Sequence, residues 1–311
     1  MENIEIKDCK DLNCGENVFQ TASIAPVENG LEYKLLSDNG ELEYIDYLNL
    51  SKVVEILGEF FDVNTAVISK ENQLISVALG SSVDNAFEKV IENNPLAIAG
   101  STIGFSKEVS ESVAKQIRAM QIKNVIAPRF DKSALEYLTK KSNINIIQTL
   151  SPLQELLGFD AQDIKVTPFG YLMQTQNHSK LTKSAFKVAG KVKPVQQMAE
   201  DAIFAWKISK YTKSKSALVV KDLTLIALVQ NKQNYLEAIE SVIDIACENS
   251  KDAVLATDGA LDGEEFVNPA IQGRIGLIID AGDSVNSKKV VNICDKYNIS
   301  LIHTGIRNNR F

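Results

Sequence analysis

The chain has 311 residues, 45% hydrophobic and 23% charged, with 16 Gly and 7 Pro. That balance excludes collagen-like, low-complexity and disordered classes. A net charge of −7 argues against non-specific binding to nucleic acid or to an anionic membrane.

A chain of this length supports one large domain or two coupled lobes, and needs no disulfide or metal staple. No apolar run approaches the roughly 18 residues of a membrane helix, and Met1–Lys10 lacks an apolar signal core. Cys9, Cys14, Cys247 and Cys294 form no Cys-x-x-Cys pair. They read as reduced thiols of a cytoplasmic protein. The only histidines, His178 and His303, tightly limit any triad or His-rich metal site.

Residues 1–50 read as irregular, with turn formers at Asn29-Gly30 and Asp38-Asn39-Gly40. Strands are expected at Thr65–Ser69 and Leu74–Leu79, around a tight Glu71-Asn72-Gln73 turn. A helix follows at Val83–Asn93, then a buried strand at Leu96–Phe105. Ser106 can cap a helix running to about Met120. Strand Asn124–Ala127, helix Lys132–Lys141 and strand Ile144–Thr149 complete the half. Ile164–Gln174 is strand-like, and the basic Lys180–Lys193 reads as a linker. Pro194 opens a helix carrying Phe204, Trp206 and Ile208. Strands Ser216–Val220 and Leu223–Val229, helix Tyr235–Glu248, and strands Ala253–Thr257 and Gly276–Ile279 follow. Helix Ser287–Tyr297 and strand Ile299–Thr304 end the pattern.

The second half repeats the first. Thr65–Glu71 lies over Ser216–Asp222, and Asn143–Thr149 over Asn298–Thr304. Element order matches as well, so an internal duplication of an α/β unit is expected. Asp258–Glu265 superficially suggests a calcium loop, but Ala260 stands at its third position and breaks the pattern. No P-loop or Gly-x-Gly-x-x-Gly follows a strand.

Phe204-Ala205-Trp206-Lys207 through Lys213-Ser214-Lys215-Ser216 resembles the FAWK-x-x-K-x-x-KSN helix of AICAR transformylase. That module accompanies IMP cyclohydrolase in a bifunctional purine-biosynthesis protein. Cys14–Gln20 resembles its RYGENPHQ entry motif, and Ala253–Asp258 its AVLASD. Ile126-Ala127-Pro128 with Ala134-Leu135, Leu138 and Lys140-Lys141 resembles its IAP…AL..L..KK segment. His303-Thr304-Gly305-Ile306-Arg307 resembles its FTGVR ending.

The resemblance implies an α/β fold of two duplicated, cytidine-deaminase-like lobes, with mixed sheets and flanking helices. The first would span 1–159 with the N-terminal segment, 160–193 would connect, and 194–311 would form the second. The cyclohydrolase domain and its activity are expected to be absent. The chain has no His-x-Glu or Pro-Cys-x-x-Cys, so deaminase zinc chemistry is excluded and no metal is expected. The family's site is built across a dimer, which implies a homodimer.

The implied reaction transfers a formyl group from 10-formyltetrahydrofolate to the amine of the purine intermediate AICAR. That amine is a weak nucleophile and needs a base and an oxyanion donor. The family supplies a Lys-His pair and a second His. Here the pair is Lys70-Glu71 and the second His aligns with Phe19. Lys70 and Glu71 are therefore the catalytic candidates. Asn17, Gly170, Lys215, Asp258 and Arg307 are the implied substrate-binding positions. Lys215 replaces the Asn of KSN, Tyr235 the Arg of a Gly-rich loop, and Ala260–Gly263 the aromatic FFPF of the folate side. Scaffold positions match and chemical ones do not. One reading is a formyltransferase with Glu71 recruited as base. The other, favoured by the lost histidines, is a catalytically silent homologue acting as a binding or regulatory partner.

Overall fold

The computed structural model describes residues 6–37, 40–93, 95–140, 143–159, 161–181 and 186–311. The expected Asp38-Asn39 turn, the Lys141 end of a helix, Asp160 and positions 182–185 of the linker lie outside them. The chain divides into two compact units, Met1–Ile75 with Leu79–His178, and Ser76–Ala78 with Ser179–Phe311.

The first unit opens with short strands β1 (Lys10–Leu12) and β2 (Ala22–Ile24), paired antiparallel, and β3 (Tyr33–Leu35). Helix α1 (Tyr44–Glu59) follows, where an irregular stretch was expected. Its buried positions include Asp46 and Asn49, so polar residues sit on the core face and blur the apolar periodicity. Its first turn is closed by Glu43 N–H donating to Asp46 Oδ2 at 3.0 Å. Strands β4 (Asn64–Lys70) and β5 (Gln73–Gly80) form the expected hairpin, and α2 (Val83–Asn93) the expected helix.

The expected strand Leu96–Phe105 is only partly strand. A short helical turn, Pro95–Ala97, precedes β6 (Thr102–Phe105). The next helix, α3 (Glu111–Ala119), is capped by Ser110, whose Oγ accepts from Val113 N. Ser106 instead accepts from Thr65 N at 2.9 Å and so ties β4 to β6. Then come β7 (Asn124–Ala127), α4 (Lys132–Thr139) and β8 (Asn145–Thr149). The sheet runs β5-β4-β6-β7-β8-β3. β4 meets β6 antiparallel, whereas β6, β7 and β8 are parallel. A separate hairpin, β9 (Asp163–Thr167) with β10 (Gly170–Gln174), ends the unit.

The second unit begins with β11 (Lys187–Val188), inside the segment read as a linker. Helix α5 (Gln196–Ser209), strands β12 (Ala217–Lys221) and β13 (Thr224–Val229), and helix α6 (Tyr235–Ala246) follow. Next are β14 (Val254–Thr257), α7 (Asn268–Gln272), β15 (Leu277–Asp280), α8 (Ser287–Lys296) and β16 (Ser300–His303). The sheet order is β11-β16-β15-β14-β12-β13. β12 meets β14 antiparallel, and β14, β15 and β16 are parallel. From hairpin to third parallel strand, this is the plan of the first unit.

Strands buried on both faces read as continuous apolar runs, as in Leu277–Asp280. In the first unit α1 packs on β4 and β6. In the second α5 packs on β12 and β14, with Phe204 and Trp206 buried. Gly104 sets the approach of α1, because a Cβ there would lie 2.1 Å from Val53 Cγ1 and 2.9 Å from Leu57 Cδ1. Gly104→Ala should therefore destabilise the protein by about 1–3 kcal/mol through overpacking, measurable as a lowered midpoint in urea. Burial, helped by Asp280 and Asp295, pushes the Cys294 thiol up to about 12. In the native protein iodoacetamide should alkylate Cys9 and Cys247, both exposed, and leave Cys294 unmodified until the chain unfolds.

Candidate functional site

The turn between β4 and β5 is a two-residue one, with φ of 51° at Glu71 and 58° at Asn72. Both lie in the left-handed region that a type I′ hairpin demands. Asn49, buried on α1, holds this turn. Its Oδ1 accepts from Asn72 N at 2.8 Å and from Ser69 Oγ at 3.2 Å. Lys70 Nζ donates to the Ala99 carbonyl at 2.8 Å, and Glu71 is exposed.

The second unit builds the same turn. Asp222 and Leu223 have φ of 51° and 55°. Asp201 on α5 accepts from Leu223 N at 2.7 Å and Asp222 N at 3.1 Å. Lys221 Nζ donates to the Lys251 carbonyl at 2.8 Å. Burial pushes the Asp201 carboxyl up, and the two backbone donors oppose that shift.

Glu71 and Asn72 line a groove of about 630 Å³ with Asn13, Cys14, Gly15, Glu16 and Val18 of the entry segment and Glu43, Ile45 and Leu48 at the start of α1. The entry loop is closed by Gly15 N to Gln20 O and Gln20 N to Asn17 O, both 2.9 Å. Asn17 donates from Nδ2 to Gln20 Oε1 at 2.7 Å, so its amide is engaged within the loop. Phe19 is 87% exposed and is not among the groove's lining residues. Those residues include three carboxylates and no Lys or Arg. The cation nearest Glu43 is Lys123, 2.6 Å from Glu43 Oε2 and 3.0 Å from Asp46 Oδ1. Burial opposes its charge, but the two carboxylates hold its pKa above the usual lysine value.

The remaining candidates gather mainly at the carboxyl ends of β14 to β16, where open α/β sheets place ligands. Asp258, fully buried, accepts from Ser214 Oγ, from Ser216 N at 2.7 Å and from Ser216 Oγ at 3.0 Å. Lys215 Nζ lies 5.1 Å from the centre of the Tyr235 ring. Burial, then Asp258, raises the Tyr235 phenol well above its usual pKa, and Arg307 opposes them. Gly259 makes room for that ring, since a Cβ there would sit 2.1 Å from the phenol oxygen. Arg307 Nε donates to Asp283 Oδ2 at 2.7 Å, which holds the carboxyl below its usual range.

Two groups escaped the sequence reading. Asn49 and Asp201 lie on core-facing helix positions, and their only signal is an offset of about 150 residues. Asp280, buried, accepts from Leu261 N at 2.9 Å and pairs with His303 Nδ1 at 2.7 Å. His303 Nε2 is buried with no hydrogen-bond partner among the described residues. Gly170, the first residue of β10 and at φ +138°, lies on the separate hairpin. Among the described residues no group of His, Cys, Asp and Glu is suited to a metal, and no helix is long and apolar enough to cross a membrane.

Asp201→Ala should cost about 1–3 kcal/mol by stranding two backbone donors. Asp201→Asn should cost less, because Asn49 shows that one oxygen can hold such a turn. Guanidinium unfolding of both variants tests the ordering.

The model of the AICARFT/IMPCHase bienzyme family matches residues 1–244. The bifunctional purine biosynthesis protein PurH of Acetivibrio thermocellus is 31% identical over 98% of this chain. Those of Fusobacterium nucleatum and Caldicellulosiruptor saccharolyticus are 31% and 29% identical over 98% and 99% of it. The chain spans about 60% of the length of these relatives. With the entry segment, the Phe204–Ser216 region and the Asp258 strand end all in place, this chain belongs to the AICARFT/IMPCHase bienzyme family.

Proposed function

We propose that the chain serves purine biosynthesis as an AICAR-transformylase-like protein that binds a purine-nucleotide intermediate and has lost the base for efficient formyl transfer. The carrying observation is the position of Lys70. Its ammonium donates to a backbone carbonyl, as Lys221 does at the matching turn. A lysine that ties its hairpin to the loop before the next strand in the same way in both units is accounted for by structure.

Formyl transfer requires attack of the amine on the formyl carbon, removal of the amine proton, and release of the tetrahydrofolate nitrogen as the tetrahedral oxyanion collapses. Glu71 is the only candidate base at this turn, and it is exposed. The folate donor also fits poorly. Ala260–Gly263 offers no aromatic ring for a pteridine, and Leu261 is buried in the core of the second unit.

Binding of the nucleotide falls to the second unit on this reading. Lys215 and Arg307 flank Tyr235 and supply positive charge, and Asp258 fixes the Ser214–Ser216 backbone. The groove of the first unit is lined by three carboxylates and no Lys or Arg, whereas this end offers Lys215 and Arg307 to an anion beside Asp258, Asp280 and Asp283. Acting on soluble metabolites, the protein would work in the cytoplasm.

The alternative, a working formyltransferase using Glu71, draws its support from the open groove that Glu71 lines. The two readings part in one assay of formyl transfer from 10-formyltetrahydrofolate to AICAR. Loss of a general base lowers the rate by about 10²–10⁴-fold, so turnover should fall at least ~100-fold below that of a bifunctional relative. AICAR should still bind in calorimetry, and Arg307→Ala should weaken it. Turnover at the relative's rate that disappears in Glu71→Gln would establish the alternative.

A further inference from the structure

Lys215 is half-buried, and its ammonium has no hydrogen-bond or ion-pair partner among the described residues. What it meets is the ring of Tyr235, whose centre lies 5.1 Å from Nζ. The neighbouring charges are engaged. Arg307 donates from Nε to Asp283 Oδ2 at 2.7 Å, and Asp280 accepts from Leu261 N and pairs with His303. A lysine side chain has high rotamer entropy, so an ammonium without an acceptor samples many positions unless a different contact restrains it. An aromatic face is such a contact. It attracts the ammonium through its quadrupole and, unlike a carboxylate, leaves the three N–H donors free for a ligand.

Both the ring and the backbone of Lys215 are fixed by one buried carboxylate. Asp258 accepts from Ser214 Oγ, from Ser216 N at 2.7 Å and from Ser216 Oγ at 3.0 Å, and so grips the residue on either side of Lys215. The Tyr235 phenol hydrogen-bonds the same carboxylate. Tyr235 is buried and opens α6, directly after Asn234, whose Oδ1 accepts from Glu237 N at 2.9 Å. The segment that carries Arg307 joins the same strand end. Asn308 N donates to the Asp258 carbonyl at 2.8 Å, and Ser214 N to the Arg310 carbonyl at 2.8 Å.

We propose that Tyr235 is a positioning residue, which together with Asp258 aims the Lys215 ammonium at the phosphate of the bound ligand. The inference rests on the reading that the second unit takes an anionic, phosphate-bearing ligand. A phosphate then meets a charge that is already placed, so less side-chain freedom is lost on binding. Its oxygens find N–H donors that no described protein group has claimed. Tyr235 acts on the ligand only through Lys215. An aliphatic side chain of similar size fills the same space but offers the ammonium no negative face.

Calorimetry with AICAR and phosphorus NMR with inorganic phosphate read the site in the intact chain. Tyr235→Phe keeps the ring with its negative face, and trifluorophenylalanine at position 235 keeps the shape but drains that face. Against Tyr235→Phe, the fluorinated protein should bind AICAR about 5–10-fold more weakly. In a Lys215→Met background the same exchange should change affinity by less than about twofold. A second measurement needs no change at position 235. In the wild-type protein labelled at lysine, the ring current should move the Lys215 ε-methylene protons upfield, in a signal that Lys215→Met removes. Absence of that signal would overturn the proposal. So would a fluorine effect of equal size in both backgrounds, or none with AICAR bound, and either result leaves nucleotide binding standing. Binding of inorganic phosphate with the fluorine effect, but not of AICAR, would support the positioning role and overturn the nucleotide reading. Binding of neither ligand would overturn both.

Discussion

Each unit depends on a polar side chain buried where apolar packing alone would favour a leucine. Asn49 and Asp201 project from the first long helix of their units and close a two-residue turn by accepting its backbone N–H groups. Such turns place two residues in the left-handed region, at a conformational cost for any residue other than glycine or asparagine. The buried acceptor offsets that cost and fixes the hairpin register. Register in turn decides which side chains of β4, β5, β12 and β13 enter the core. Helix, hairpin and sheet are therefore locked by one or two hydrogen bonds per unit.

The charge distribution follows a different logic. In the first unit the groove gathers Glu16, Glu43 and Glu71, while Lys123 is held by Glu43 and Asp46. At the sheet end of the second unit, Lys215 lies over an aromatic ring and Arg307 is steadied by Asp283. Aromatic packing leaves the Lys215 hydrogen-bond donors unconsumed, and a carboxylate partner restricts the guanidinium of Arg307 without neutralising its neighbourhood completely. An anion therefore meets unlike receptions at the two places. This asymmetry carries more functional weight than the similarity of the two sheets.

Most strands were legible in the sequence because fully buried parallel strands are short apolar runs, as at Asn124–Ala127 and Val254–Thr257. The hairpin turns were legible to within one residue: Gln73, read as turn, opens β5, and Leu223, read as strand, is in the second turn with Asp222. Helix α1 was not, since Asp46 and Asn49 occupy its inner face and erase the apolar stripe. Ser106 misled as a cap because its hydroxyl serves β4 instead. The sequence also separated Lys70 and Glu71 from the entry segment by more than fifty residues. The groove that Glu71 shares with that segment arises only once β1 and β2 close the entry loop and α1 stands beside the turn. The Asp280–His303 pair joins the ends of two strands, and pairing between strand ends has no local signature.

The matched turns give this protein an internal reference. Lys70 and Lys221 are the same residue type, at the same place in the same turn, bonded to the same kind of acceptor. Lys70 is followed by Glu71, which lines a groove, and Lys221 by Asp222, which Asp201 holds in the turn. A property shared by both lysines belongs to the architecture. A property that distinguishes them, whether reactivity, exchange rate or response to a ligand, belongs to their surroundings.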